Sequence, residues 1–387
     1  MKDSVPVSPG DERVERFLPY DRLQALLDSL MADGRTIIGP TIDQQAIVYG
    51  EITTVDDLPR GWTDDQSPGS YRLRRRDDDS YFGYVVGPHS WKQFLFPPVT
   101  TVATADRTAA GWSMDTPQED PPRYAFLGVR ACELAAMRIQ DRVFLEGAWV
   151  DPIYQSRRDA ALVIAVNCTQ AASTCFCTSM NTGPRCESGF DLAITELAEG
   201  FLIESGSVAG AVILDSLETQ AATPAQLGNG ESARQQAVDQ ISKTLDTTEI
   251  RDLLLGNLDH ARWDEVATRC LSCTNCTMVC PTCFCSTVTD VPDMTGDHVD
   301  RQREWDSCFN IDFSYMNGGV VRSDVRSRYR QWLTHKLGSW HDQFGQSGCV
   351  GCGRCITWCP PGIDLTEEVA AIRNSSAQSD KSQETGR

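Results

Sequence analysis

One cysteine spacing, C-x2-C-x2-C-x3-C-P, occurs twice in this chain. CLSCTNCTMVCP supplies Cys270, Cys273, Cys276 and Cys280, and CVGCGRCITWCP supplies Cys349, Cys352, Cys355 and Cys359. Two-residue gaps let one tight turn bring three thiolates to a single centre. The proline after the fourth cysteine removes an N–H that would otherwise need a partner at the start of a turn or helix. The 387 residues hold 16 cysteines, none before Cys132, five from Cys132 to Cys186, seven from Cys270 to Cys308 and four from Cys349 to Cys359. Disulfide frameworks belong mainly to secreted chains with small cores. The opening MKDSVPVSPGDERVERF has no apolar leader segment. The expectation is therefore a cytoplasmic protein without a membrane span, whose clustered thiols bind metal.

The doubled spacing is that of bacterial two-cluster [4Fe–4S] ferredoxins, in which the fourth cysteine of each run ligates the other cluster. The expected sets are Cys270, Cys273, Cys276 with Cys359, and Cys349, Cys352, Cys355 with Cys280. Paired zinc sites could also use four cysteines each, but two identical runs suit paired cubanes better. A compact ferredoxin needs far less chain between its runs than residues 281–348, so an insertion over 286–348 is expected to loop out and return.

Ahead of these runs the pattern is that of an α/β domain, assigned to residues 1–230. LPYDRLQALLDSLMADG carries Leu23, Leu26, Leu27 and Leu30 on one helical stripe and stops at Gly34. YAFLGV and ALVIAV are strand-length apolar runs flanking ACELAAMRIQDRVFLEG, a βαβ-like order. DLAITEL, FLIES and GAVILD extend the strand pattern to Asp215. Residues 231–261 read as a connecting helical region, and 262–372 as an α+β two-cluster ferredoxin domain with too little apolar mass to hold itself without inorganic staples. A polar tail over 373–387 is expected to be disordered.

Cys132 follows the first proposed strand of the βαβ unit and Cys168 the second, so both belong at the carboxyl edge of a parallel sheet, where α/β proteins place ligands. TCFC at Thr174–Cys177 lies just beyond. Cys132, Cys168, Cys175 and Cys177 could hold a third [4Fe–4S] cluster, with Cys186 as a spare. Buried structural thiols or a redox dithiol are the other readings. TCFC recurs at Thr282–Cys285, behind a run whose four ligands are already assigned. For Cys283, Cys285 and the solitary Cys308 of REWDSCF the expectation is packing beside a cluster and tuning of its potential, and replacement of a conventional ligand by one of them is the alternative. Arg322 and Arg326, in the basic stretch RSDVRSRYRQWLTHK, are candidates to face an anionic cluster, and a solvated helix face is the alternative. The net charge of −19 disfavours nucleic acid and anionic membrane. No HExxH, nucleophile elbow, P-loop or dinucleotide fingerprint occurs.

Together GPHSWKQFLFPP, GVRACEL, NCTQAASTCFCTSMNTGP, CLSCTNCTMVCPTCFCSTVTD, WDSCF, RSRYRQWLTHK and GCVGCGRCITWCPPGIDL span most of the chain. They resemble the iron–sulfur beta subunit of cytoplasmic [NiFe] hydrogenases of the sulfhydrogenase type, and its relative, the A subunit of anaerobic sulfite reductase. The resemblance implies a non-catalytic electron-transfer subunit of a hetero-oligomer, between a flavin subunit that handles NAD(P)H and the small and large [NiFe] hydrogenase subunits. The equivalent subunit of an anaerobic sulfite reductase and a ferredoxin-like assembly adaptor are the alternatives.

Overall fold

A computed structural model describes residues 15–117 and 120–384, and side chains of the last helix as far as residue 375. The N-terminal part is built on an eight-stranded mixed sheet. Its centre is parallel: Thr36–Asp43 pairs Tyr124–Val129, which pairs Leu162–Val166, which pairs Leu192–Glu196. The βαβ order expected from YAFLGV and ALVIAV is present, with helices Ala131–Leu145 and Pro152–Ala160 in the crossover. Alternation along these strands explains the layers. Ala125, Leu127, Leu162 and Ile164 enter one apolar core, and Phe126, Val163 and Ala165 enter another on the opposite face, which Val129 joins after a register irregularity past Leu127.

GAVILD is helical rather than extended, lying within Val208–Ser216. Ser207 caps that helix by accepting from the Gly210 N–H, and a Cβ at Gly210 would fall 1.8 Å from the Asp191 carbonyl oxygen. A local cap and a close backbone approach thus override an apolar run that reads equally well as a strand. Helix Pro224–Gln240, capped by Thr223 and Gln226, starts ahead of the region 231–261 read as helical, and Ile250–Gly256 lies within it.

Residues 286–305, inside the expected insertion, form the hairpin Ser286–Pro292 and His298–Trp305. It does not stand alone. His298–Trp305 pairs the N-terminal strand Val99–Thr108, making a four-stranded antiparallel sheet with Gly111–Asp115. The ferredoxin part also has more apolar mass than its cysteine-rich sequence suggests. Trp263, Tyr329, Trp332, Leu333, Leu337, Ile356 and Leu365 are buried together, and Phe176 of the N-terminal part joins them. The final helix runs Leu365–Glu384 through the start of the expected tail, and 385–387 lie outside the described residues.

Candidate iron–sulfur site

The two cysteine runs share one backbone trace. Ser272 and Thr274 in the first, and Gly351 and Gly353 in the second, all take left-handed φ, at 50°, 68°, 65° and 77°. A short helix follows each, Asn275–Met278 and Arg354–Thr357. Alternation of right- and left-handed residues turns backbone N–H groups inward, a concavity suited to anions and iron–sulfur groups. Some are already aimed at sulfur: Ser272 N–H lies 3.4 Å from Cys270 Sγ, Gly351 N–H 3.4 Å from Cys349 Sγ, and Ile363 N–H 3.4 Å from Cys359 Sγ.

Cys270, Cys273, Cys276, Cys355 and Cys359 line one cavity, walled by Phe309, Tyr329, Trp332 and Ile363. Burial raises the thiols of Cys270, Cys276 and Cys359 above their ordinary range, and each is raised further by neighbours in the same group. Cys280 of the first run is absent from that lining, and its sulfur acts on the second run as well as on Cys276. The thiols of Cys349, Cys352 and Cys355 are all raised by burial and by proximity to Cys280, Cys349 to about 12. Among the described residues, no three His, Cys, Asp or Glu side chains gather as one small ion would require.

Cys280 differs from its companions. Its thiol is held well below the usual range, first by a hydrogen bond from Cys283 and then, against desolvation, by the Lys336 ammonium. Lys336 is buried and donates to Cys280 Sγ at 3.3 Å, Thr282 Oγ1 at 3.1 Å and the Gly348 carbonyl at 3.2 Å. Burial disfavours its charge, but the Cys280 and Cys283 sulfurs outweigh that and leave it firmly protonated.

The N-terminal thiols meet at the carboxyl ends of Tyr124–Val129 and Leu162–Val166. Cys177 is raised by burial and then by Cys175 and Cys168, while Cys132 is raised by burial and then by Cys352, Glu133 and Cys177. Cys186 is buried in the core cluster that includes Phe190 and Leu134, its thiol raised by burial and then by Cys168, its N–H donating to Asn167 Oδ1 at 2.8 Å. Buried Arg130 Nε and Arg354 Nη1 have no hydrogen-bond partner among the described residues. Burial raises Cys168 and Cys352, and these two guanidiniums oppose it. Spare buried donors beside grouped thiols fit an anionic cluster larger than an ion.

The second cysteine run seats both TCFC loops. Phe176 N–H donates to the Gly351 carbonyl at 2.9 Å, and Thr174 Oγ1 lies 2.9 Å from Thr357 Oγ1. From the other side Thr282 Oγ1 donates to the Gly348 carbonyl at 2.6 Å. Gly351 and Gly353 are needed for this: a Cβ at either would fall 2.6 Å from the Phe176 oxygen or 2.5 Å from the Thr174 oxygen.

Several positioning residues lay outside the sequence reading. Glu133 of GVRACEL is buried and pairs with Arg354 of the second run, while also accepting from Tyr49 Oη at 2.8 Å and Trp91 Nε1 at 3.0 Å. Arg354 Nε donates to the Gly87 carbonyl at 2.9 Å, so GPHSWKQ is a strap across the second run. Lys92 of the same strap donates to the Cys283 carbonyl at 3.2 Å and stacks 3.8 Å over Trp305. Arg326 is directed instead to Asp264, at 3.0 Å, and Arg322 offers its carbonyl to Arg328 Nη1 at 3.0 Å. Arg328 is the arginine near the first run, opposing the rise of Cys270.

Residues 269–363 match the family model of the 4Fe-4S dicluster domain. The sulfhydrogenase 2 subunit beta of Pyrococcus furiosus is 30% identical over 257 residues, which cover 65% of this chain and 74% of that protein. The chain belongs to the sulfhydrogenase beta-subunit family. It is an iron–sulfur electron-transfer protein with [4Fe–4S] clusters in its C-terminal dicluster domain. No solved structure matches this beta-subunit-family chain. No helix among its described residues is long and apolar enough to cross a membrane.

Proposed function

We propose that this chain is the relay subunit of a sulfhydrogenase-type [NiFe] hydrogenase, passing electrons between an NAD(P)H-linked flavin subunit and the hydrogenase module. The observation that carries the reading is continuity. Cys355 lines the same cavity as Cys270, Cys273, Cys276 and Cys359, and Cys352 of the same run acts on Cys132, Cys175 and Cys177. Three thiol groups therefore adjoin one another along the second cysteine run. The likeness to a sulfhydrogenase beta subunit favours this assembly over a sulfite reductase.

In this reading Cys270, Cys273, Cys276 and Cys359 hold one [4Fe–4S] cluster. Cys349, Cys352, Cys355 and Cys280 hold a second, and Cys132, Cys168, Cys175 and Cys177 a third. Such clusters supply one-electron chemistry. The chain's own residues bind and tune: Phe309, Tyr329 and Trp332 exclude water from the first site, Lys336 balances the charge at Cys280, and Arg130 does so at Cys168. In this reading H2 and nucleotide chemistry belong to partner subunits.

Iron analysis and EPR of the anaerobically purified chain test this. Three cubanes require about twelve irons per chain, and Cys175→Ser is expected to lose about four. Twelve irons retained in that variant would remove Cys175 from the ligand set. Failure of the chain to copurify with flavin and nickel-bearing subunits from its native cells would remove the proposed partners.

A further inference from the structure

The basic stretch YRLRRR at Tyr71–Arg76 serves none of the proposed ligand sets. Most of it lies on strand Ser70–Arg75, which pairs Trp62–Ser67 in a hairpin, and this hairpin lines a cavity of about 690 Å³. Thr357–Pro360, at the end of the second cysteine run, line the same cavity with Asn275 of the first. Gly69 N–H in the hairpin turn donates to the Ile356 carbonyl at 3.1 Å, and Asn275 Nδ2 donates to the Trp358 carbonyl at 3.2 Å. Those bonds fix the walls to one another.

The lining has a definite chemistry. Trp62, Tyr71 and Trp358 are all part of it, and Tyr71 stacks on Trp358 with ring centroids 5.2 Å apart. Ile47 N–H donates to Tyr71 Oη at 3.1 Å and holds that ring in place. Among the described residues no carboxylate lines the cavity, although the chain carries a net charge of −19. Arg72 does line it, with its charge uncommitted. Arg74 pairs with Asp65, Arg76 pairs with Asp78, and Arg75 lies over the Trp62 ring. Exposed Arg72 donates to the Tyr71 carbonyl at 2.8 Å and pairs with no carboxylate among the described residues. Gln44 and Gln45 add two amides from the turn between Thr36–Asp43 and Ala46–Glu51. Both take left-handed φ, 45° and 62°, in a two-residue turn that favours asparagine and glycine. Their longer amide side chains stand beside the cavity against that backbone preference.

We propose that this cavity binds a planar aromatic anion of mononucleotide size. The ring packs against Trp62, Tyr71 and Trp358, the anionic group takes the Arg72 guanidinium, and the Gln44 and Gln45 amides bond polar atoms of the ring edge. Small-molecule sites have volumes of about 300–1,000 Å³, aromatic walls and a few convergent polar groups. Stacking and a charge-assisted hydrogen bond are the interactions this lining offers. One uncommitted guanidinium among three aromatic rings suits a ring with a single anionic group better than a polyanion. Cys359 is also in the lining, so the ligand adjoins the first proposed cluster, a consequence that rests on the cluster reading above.

The test is titration calorimetry on the full-length chain, purified anaerobically and not reduced. Flavin mononucleotide and adenosine monophosphate supply ring and anion together, riboflavin the ring alone, and inorganic phosphate the anion alone. The expected result is saturable binding of a mononucleotide at one site, with riboflavin and phosphate each weaker by about tenfold or more. Arg72→Gln should weaken the mononucleotide by about tenfold and leave riboflavin unchanged. Tyr71→Leu should weaken both. Arg72 is exposed, so its variant keeps the parent's iron content and fold. Absence of binding by both mononucleotides would overturn the proposal, as would phosphate binding as tightly as either, or affinities unchanged in both variants. The cluster reading fails separately, on the parent's iron content.

Discussion

Phe176 N–H donates to the Gly351 carbonyl at 2.9 Å, tying the first TCFC loop to the middle of the second cysteine run. Residues far apart in the chain thereby share one backbone surface, and Phe176 is buried in the core of the ferredoxin part. On the far side Thr282 of the second TCFC holds Gly348. The repeated tetrapeptide is a pair of clamps on one run, the first carrying thiols of the N-terminal group and the second placing Cys283 against Cys280.

That clamp leaves no room at Gly353. Gly353→Ala combines a left-handed φ with a Cβ 2.5 Å from the Thr174 oxygen. It is expected to cost about 2 kcal/mol or more and to lower iron retention. Thr274→Gly, at the matching place in the first run, should stay within about 1 kcal/mol, since Thr274 already accommodates a φ of 68°. Urea melts and iron analysis compare the two, and equal behaviour would contradict the clamp.

Glu133→Gln tests the bond between the two halves. It leaves Arg354 buried without its counter-charge, and breaking such a pair by one partner costs about 3–5 kcal/mol. Chemical denaturation of Glu133→Gln, Arg354→Met and the double variant should show strong coupling. Additive losses would place the stabilising contacts elsewhere.

Lys336→Met should make the Cys280-containing centre harder to reduce, because a buried positive charge beside its thiolate is lost. The expected change is at least tenfold in the oxidised-to-reduced ratio at fixed potential, about 59 mV for one electron. An EPR-monitored titration reads this, with Lys336→Arg retaining most of the parent potential. An unshifted Lys336→Met would deny the lysine its electrostatic role.

Asp64 is buried, and desolvation pushes its carboxyl from 3.8 to about 6 against hydrogen bonds from Val85 N–H and Gln66. The folded state therefore holds this proton more tightly than the unfolded chain. The associated stability is present below about pH 4 and is lost as pH rises toward 6, by roughly 3 kcal/mol. Asp64→Asn should flatten stability against pH across that window. Denaturation at several pH values checks it, and an unchanged slope would assign the pH dependence to other groups.

Local features were legible because they depend on neighbours in the chain. The helix bearing Leu23, Leu26, Leu27 and Leu30, and the parallel strands ending before Cys132 and Cys168, follow from periodicity. GAVILD was not, since a cap at Ser207 decides between two states that periodicity leaves equal. Arg326 reads as a cluster-facing cation from its place in a basic stretch, but helix rotation sends it to Asp264 and brings Arg328 toward Cys270.

By itself the sequence determined the thiol spacing of the two runs and the turn-forming positions between them, because a few residues of covalent chain set that geometry. Only the tertiary structure decided that both TCFC loops close on Gly348–Thr357, that Glu133 secures Arg354, and that Lys336 reaches Cys280. Those pairings join distant segments through buried charge and close backbone contact, and their energies exist only once packing has excluded water from between them.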